Sequence, residues 1–170
     1  MKEEQFNLQI DKAEYEDKGV LRNLINLYEY DVSEFNGSEP NCFGVFEYLY
    51  LDHYWTSKSI EEEGRIPYLL KVNGNLAGFV LINNVSCLNR KDITYTIAEF
   101  FILRKWRRKG IGKLVAFKVF SRHAGKWEVA QERENTKAQI FWRSVIYEYT
   151  KGNFEELETA KKFVQIFDSN

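Results

Sequence analysis

Apolar and polar positions along the chain alternate between a helical period and a strand period. Over residues 15–30 the apolar positions Val20, Leu21, Leu24, Ile25, Leu27 and Tyr28 form an i, i+3, i+4, i+7 stripe, which predicts an amphipathic helix. Residues 6–10 alternate loosely and predict an edge strand ahead of it. The turn formers Asn36-Gly37-Ser38-Glu39-Pro40 end the helix. Residues 43–56 are dense in aromatic side chains and predict a short helix and a loop. Glu61-Glu62-Glu63-Gly64 predicts a solvated acidic turn.

The strand period then takes over. Two apolar runs flank Asn73-Gly74, a dipeptide that accepts the positive φ values of a two-residue hairpin turn, so residues 68–72 and 76–82 should pair antiparallel. A third strand is expected over about 94–103. Helical spacing returns at Leu114, Val115, Phe117, Val119 and Phe120, with Gly125 as a stop. Residues 127–130 predict a short strand, parallel to the third because a helix joins them. A further helix starts near Asn135, and residues 154–157 and 163–167 close the chain as strands. The order is β-α-α-β-β-β-α-β-α-β-β, without a linker or repeat, and predicts a single α/β domain over residues 1–170.

The chemistry gathers where the third strand meets the following helix. Six of the ten positions from Arg104 to Lys113 are basic: Arg104, Lys105, Arg107, Arg108, Lys109 and Lys113. Gly110 and Gly112 sit where a turn feeds a helix N-terminus, whose first N–H groups lack acceptors and carry the positive end of the helix dipole. Glycine permits close backbone approach, so the stretch reads as a cradle for a phosphate or pyrophosphate. A P-loop is excluded because Arg107 and Leu114 stand where its first glycine and its Ser or Thr belong. A dinucleotide fingerprint needs a third glycine where Val115 stands.

Arg107-Arg108-Lys109-Gly110-Ile111-Gly112 resembles the Arg/Gln-x-x-Gly-x-Gly/Ala signature of the GNAT N-acetyltransferases. Asn135-Thr136-Lys137-Ala138-Gln139-Ile140-Phe141-Trp142 is similar to that family's Asn-x-x-Ala-x-x-Phe-Tyr segment. The resemblance spans about residues 6–167, and a poorly characterised bacterial subgroup is also similar over residues 46–55. It implies a mixed, mostly antiparallel sheet with helices on both faces and one splayed parallel pair, and acetyl-CoA as cofactor. It further implies that Arg107, Arg108, Lys109, Gly110, Ile111, Gly112 and Lys113 hold the pyrophosphate. The pantetheine arm would pair with backbone of Phe101, Ile102 and Leu103 and lie along Asn135, Ala138, Phe141 and Trp142.

Trp142 replaces the family's tyrosine, and an indole N–H has no proton to return to a leaving thiolate near neutral pH. Tyr147 or Tyr149, later on the same helix, can substitute, or the thiolate leaves into water. Glu99, between Ala98 and Phe100, is either a base with a raised pKa or an ordinary strand glutamate paired with a neighbouring cation. Tyr28, Asp31, Tyr50, Asp52 and Tyr54 offer aromatic faces and carboxylates for a cationic amine, or else are packing residues. Asn135 also has the position of a helix N-cap.

Composition narrows the classes. A net charge of −1 confines the basic cluster to one place and disfavours nucleic acid as the partner. Cys42 and Cys87 are isolated and only His53 and His123 are available, so no metal is expected. The N-terminal stretch lacks a signal-peptide core and no window approaches a membrane span, which predicts a cytoplasmic protein with no membrane partner. The expected activity is acetyl-CoA dependent transfer to a primary amine of a small molecule or an amino terminus. The alternatives are a non-catalytic acyl-CoA binding module and an acetyltransferase toxin acting on tRNA, and a homodimer is left open.

Overall fold

A computed structural model describes residues 6–170. In chain order the elements are β1 (Leu8–Lys12), α1 (Lys18–Asn36), α2 (Ser57–Glu63), β2 (Ile66–Val72), β3 (Asn75–Asn83) and β4 (Tyr95–Ile102), then α3 (Ile111–Arg122), β5 (Gly125–Glu132), α4 (Thr136–Thr150), β6 (Glu155–Glu158) and β7 (Lys162–Ser169). The strands form one sheet in the order β1-β2-β3-β4-β5-β7-β6. Every pairing is antiparallel except β4 with β5, so the expected mixed α/β architecture is the observed one.

The hairpin forms at the expected dipeptide. Val72 pairs with Asn75, and Asn73 and Gly74 both take positive φ, 52° and 77°, which matches the right-handed twist of the strands. Two sequence-based expectations need correction. The first strand lies two residues later than residues 6–10, because Phe6 turns its ring edge-on to Trp106, 6.1 Å away. Residues 51–55 form a 3₁₀ turn that buries Leu51 and Tyr54, and the regular helix comes only after it. Glu61, Glu62 and Glu63 are therefore the last turn of α2, closed by Gly64 in the left-handed region, with Glu61 and Glu62 solvent-exposed as expected but helical.

The sheet separates two apolar layers. On one face Leu21, Leu24 and Ile25 of α1, with Leu51 and Tyr54, cover Leu69, Phe79, Leu81 and Phe101. On the other, Val115, Val119 and Phe120 of α3 and Trp142, Val145 and Ile146 of α4 cover Leu70, Val80, Ile82, Trp127 and Val129. Fully burying a side chain of this size contributes roughly 1.5–3 kcal/mol, so neither helix layer can leave without exposing the sheet.

Two irregularities of the sheet open and aim the site around β4. β4 and β5 pair only at Tyr95–Trp127 and Thr96–Glu128, and beyond those pairs the strands separate. Along β3, Leu81 pairs with Glu99 and Ile82 with Ile97, so Ala98 is an extra residue. Such a bulge increases local twist and re-aims the side chains beside it. The crossing of β3 and β4 is also tight: a Cβ on Gly78, whose φ is +152°, would lie 1.9 Å from the Phe101 carbonyl oxygen. Gly78→Ala should therefore cost about 3 kcal/mol or more, as a strained backbone plus a clash that a strand cannot relieve, a loss measurable as the midpoint shift in urea unfolding.

Candidate active site

The separated edges of β4 and β5 lead to the N-terminus of α3. Arg108 has φ 61° and Gly110 φ 77°, and this pair of left-handed residues folds the chain tightly from β4 into the helix. Leu114 makes the first helical hydrogen bond, to the Gly110 carbonyl at 3.1 Å. The N-cap residue, Gly110, supplies no side-chain cap. The N–H groups of Ile111, Gly112 and Lys113 consequently have no helical acceptor and point where an anion gains most. Gly112 has a second constraint, since a Cβ there would lie 3.1 Å from the Phe141 ring. That ring also stands 5.8 Å from Phe100 of β4, so α3, α4 and β4 converge at this point.

The basic residues of the cradle divide into two groups. Arg107 donates from Nε to the Ile102 carbonyl at 2.6 Å and from Nη2 to Asp31 of α1 at 2.5 Å. Arg104 reaches the other Asp31 oxygen at 2.7 Å, and Lys113 pairs with Glu148 at 3.0 Å. Lys109 lies over the Phe6 and Trp106 rings. Arg108 is exposed and has no ion-pair partner among the described residues. Asp31 is thus not held open for an acceptor: burial raises its pKa, but hydrogen bonds from Arg107 and Arg104 outweigh that and lower it. Its role in this structure is to tie α1 to the turn after β4.

Backbone direction corrects one detail of the expected cofactor contacts. Leu103 donates its N–H to the Ala77 carbonyl at 2.8 Å, and the Phe101 carbonyl lies against Gly78. Both residues are turned towards β3. Strand alternation therefore turns the polar groups of Phe100 and Ile102 towards the unpaired edge. The Ile102 oxygen is taken by Arg107, which leaves its N–H and the groups of Phe100 for a ligand.

On α4, Asn135 caps the helix by accepting from the Ala138 N–H at 3.0 Å, so the capping role is real, and its Nδ2 makes no hydrogen bond among the described residues. Ala138 and Phe141 pack beside the buried layer. Trp142 is a core residue, its ring 4.9 Å from Phe100 and from Phe141. Tyr147 does not join them. It stands five residues on, about 140° round the helix from Trp142, with 63% of its surface exposed. There it lines a depression with Arg143, Ser144, Glu148, Phe154 and Glu156. Tyr149 follows the Trp142 face but sits against Phe117 and Phe120 with its hydroxyl 3.2 Å from Ser121.

The opposite face of β4 holds the second group. The part-buried Glu99 accepts from the Tyr28 hydroxyl at 2.6 Å. Burial pushes its pKa up to about 7, and the Tyr28 hydrogen bond opposes the rise. Burial, and then the Glu99 charge, raise Tyr28 and Tyr48 well above the usual phenol range, and Tyr54 is pushed up to about 12 mainly by burial. The Tyr54 hydroxyl is buried beside Tyr48 and Arg65. Arg65 is buried with its guanidinium 5.2 Å from the Tyr54 ring centre and 5.6 Å from that of Tyr50, and pairs with Glu63 at 2.5 Å.

Of the acceptor-side residues expected from sequence, the structure brings Tyr28 and Tyr54 to Glu99. Tyr50 is exposed above Arg65. Asp52 pairs instead with Lys18 at 2.6 Å and is 70% exposed. Tyr48 and Arg65 were missed. Tyr48 lay within the aromatic stretch without a signal separating it from its neighbours, and nothing near Arg65 in the chain signals that it will pack on two tyrosines.

Comparison with known proteins agrees with this fold. Residues 15–145 match the model of the acetyltransferase (GNAT) family. No curated protein matches the chain. Among solved structures, an acetyltransferase from Thermus thermophilus superposes with a TM-score of 0.66 at 14% identity, covering 95% of this chain and 97% of the other. The aminoglycoside acetyltransferase AAC(6')-Ib, in complex with coenzyme A, gives 0.60 at 14% identity and 95% of each chain. The ribosomal-protein-S18-alanine N-acetyltransferase from Escherichia coli gives 0.59 at 13%, over 96% and 95%. At these identities the structures speak for the fold, while the family match covers most of the chain: the protein belongs to the GNAT acetyltransferase family.

Proposed function

We propose that this protein is an acetyl-CoA dependent N-acetyltransferase acting on a primary amine, with Glu99 as general base. The observation that carries the reading is the meeting of two sites on opposite faces of one strand. Unpaired N–H groups open α3 at Ile111, Gly112 and Lys113, and a proton acceptor poised near neutrality lies on β4.

The residues present fit the cofactor. The α3 N-terminus and Arg108 would hold its pyrophosphate, with Gly112 seated closely against the Phe141 ring. The N–H of Ile102 and the Asn135 carboxamide offer polar contacts to its amide-bearing arm, with Phe100, Ala138 and Phe141 as the apolar wall. When bound, acetyl-CoA supplies an acyl group already activated as a thioester. The chain's own task is then to position the amine, remove its proton and shield the encounter.

Glu99 removes the proton. A carboxylate with a pKa of about 7 is substantially ionised at neutral pH and basic enough to take a proton, directly or through one water, from the acceptor ammonium, which frees the amine lone pair to attack. Tyr28 fixes its orientation through the 2.6 Å hydrogen bond. Neither Trp142, Tyr147 nor Tyr149 is suited to protonate the leaving thiolate: the first by chemistry, the second because it lies on another face of α4, and the third because its ring packs on Phe117 and Phe120 with its hydroxyl at Ser121. The thiolate therefore departs to solvent without a protein acid. Arg108→Ala should raise the KM for acetyl-CoA about tenfold with kcat little changed, the value of one charge-assisted hydrogen bond. The reading as a whole is tested by following thiol release from acetyl-CoA across a panel of primary amines. Turnover on at least one is expected, and tight binding of acetyl-CoA with no turnover on any would replace the enzyme by a binding module.

A further inference from the structure

Two buried glutamines interrupt the apolar layer beneath α4. Trp127 and Val129 of β5 and Phe167 of β7 face that layer, and strand alternation turns Gln131 and Gln165 the same way. They are 4% and 0% exposed. A chain of hydrogen bonds links them to the surface. Gln131 donates from Nε2 to Gln165 Oε1 at 2.7 Å, and Gln165 donates from Nε2 to Glu156 of β6 at 2.7 Å. Arg143 of α4 donates from Nε to both oxygens of Glu156, at 3.1 and 2.9 Å.

The direction of this chain is fixed at its outer end. The Arg143 hydrogen bond, opposed by partial burial and helped by Gln165, holds the Glu156 pKa below the usual carboxylate range, and an ionised carboxylate only accepts. Gln165 must therefore turn its Nε2 outwards and its Oε1 inwards, and Gln131 must answer with its own Nε2. The inner end of the chain is then a carbonyl oxygen. That oxygen, Gln131 Oε1, is buried with no partner among the described residues. Buried polar atoms are seldom left unpaired, and an exception calls for a donor.

The position of Gln131 indicates which donor. β5 pairs with β4 no further than Glu128, so Gln131 lies three residues into the stretch where the strands have separated. With Ala98 as the extra residue of β4, it stands level with Phe100, whose ring packs on Trp142 on the same face of the sheet. The neighbouring Glu132 carbonyl accepts from the Asn135 N–H at 3.1 Å and from Gln139 Nε2 at 2.9 Å, which anchors the start of α4 over the end of β5. Phe100, Asn135 and Trp142 thus surround Gln131 with the wall proposed for the cofactor arm. That arm carries two amide N–H groups. The Ile102 carbonyl is occupied by Arg107, so on this edge of β4 the Phe100 carbonyl remains for one of them.

We infer that Gln131 is a cofactor-binding residue whose Oε1 accepts a hydrogen bond from an amide N–H of the pantetheine arm, while Glu156 and Arg143 are positioning residues that fix which end of its carboxamide faces the arm. This rests on the N-acetyltransferase reading and deepens it.

The test is calorimetry with coenzyme A and with 3′-phosphoadenosine 5′-diphosphate, which keeps the phosphates and lacks the arm. Gln131→Met keeps the side-chain volume. It should weaken coenzyme A binding about tenfold, the worth of one buried hydrogen bond, and leave the nucleotide within about twofold. The substitution removes one unmet acceptor and leaves another on Gln165, so the thermal midpoint should stay near that of the parent. Glu156→Gln, at the far end of the chain, should reverse it. Arg143 takes the new carbonyl, the new amide donates to Gln165, Gln165 donates to Gln131, and Gln131 turns Nε2 to the arm, a donor facing a donor. Coenzyme A binding should weaken about fivefold, again with the nucleotide unaffected. Unchanged affinity for coenzyme A in either variant, or an equal loss for the nucleotide, would overturn the proposal while leaving cofactor binding by the parent intact. Coenzyme A bound no more tightly than the nucleotide by the parent would overturn it together with the function beneath it.

Discussion

Glu99→Gln should lower kcat by roughly two to three orders of magnitude, the usual worth of a positioned general base, while the affinity for acetyl-CoA stays near that of the parent. The glutamine keeps the size of the side chain and the contact with the Tyr28 hydroxyl, so the loss isolates proton removal from packing. The pH dependence provides the sign. Activity needs the ionised carboxylate, so kcat/KM of the parent should rise with pH through about 7, where the folded Glu99 titrates, and level off above it. The variant should lack that limb. Stability runs the other way: the folded pKa lies above the unfolded value of about 4.3, so the folded state binds this proton more tightly. Its stabilising contribution is full below the unfolded pKa and is lost as pH rises through about 7. At pH 8 Glu99→Gln should therefore melt above the parent, an active-site residue whose loss increases stability.

The second large effect concerns the cradle. Gly112→Glu places a carboxylate beside three N–H groups that would otherwise face phosphate oxygens. Acetyl-CoA binding in calorimetry should fall below detection. Gly112→Ala separates the two demands on this position. Its methyl meets the Phe141 ring at 3.1 Å, so that ring must shift, and with it the wall it presents beside Phe100. We expect a loss of about 1–2 kcal/mol in stability from overpacking and a clear but incomplete loss of affinity. Combining Gly112→Ala with Phe141→Leu should recover much of the stability and little of the affinity, because the aromatic wall that Phe141 presents beside Phe100 is then lost.

The sequence was most legible where one local rule governed the outcome. Asn73-Gly74 admits the positive φ of a two-residue turn, and the hairpin turns there. Gly110, Gly112 and the apolar spacing after Leu114 announced a turn feeding a helix, and α3 begins at Ile111. Asn135 announced a cap and makes one.

Features that depend on distant segments were not legible. Nothing around residues 95–102 shows that β5 will pair with β4 at only two positions, or that Ala98 will be the extra residue that aims Glu99 at α1. Asp31 sits 73 and 76 residues from Arg104 and Arg107, and its sequence neighbourhood suggested an acceptor contact instead of a tether. Phe101 and Leu103 were expected at the cofactor edge, but strand phase turns them to β3. That phase is set by pairing across the sheet, and a slip of one residue exchanges the two edges. The absent family tyrosine, by contrast, was visible at Trp142, and the structure adds that Tyr147 lies exposed on another face of α4.

One arrangement results from these distant contacts. Tyr28 and Asp31, one turn apart on α1, hold the base on β4 and the arginines after β4 respectively. The helix therefore fixes both sites relative to each other, and Asp31→Asn should impair acetyl-CoA affinity and acceptor turnover together, seen as a higher KM for both substrates.

The most direct test of the account is amide NMR of the protein titrated with coenzyme A. The largest shift changes are predicted at Ile111, Gly112 and Lys113, with smaller ones at Phe100, Ile102 and Asn135. Changes confined to the depression around Arg143 and Tyr147, with the α3 amides unmoved, would contradict it.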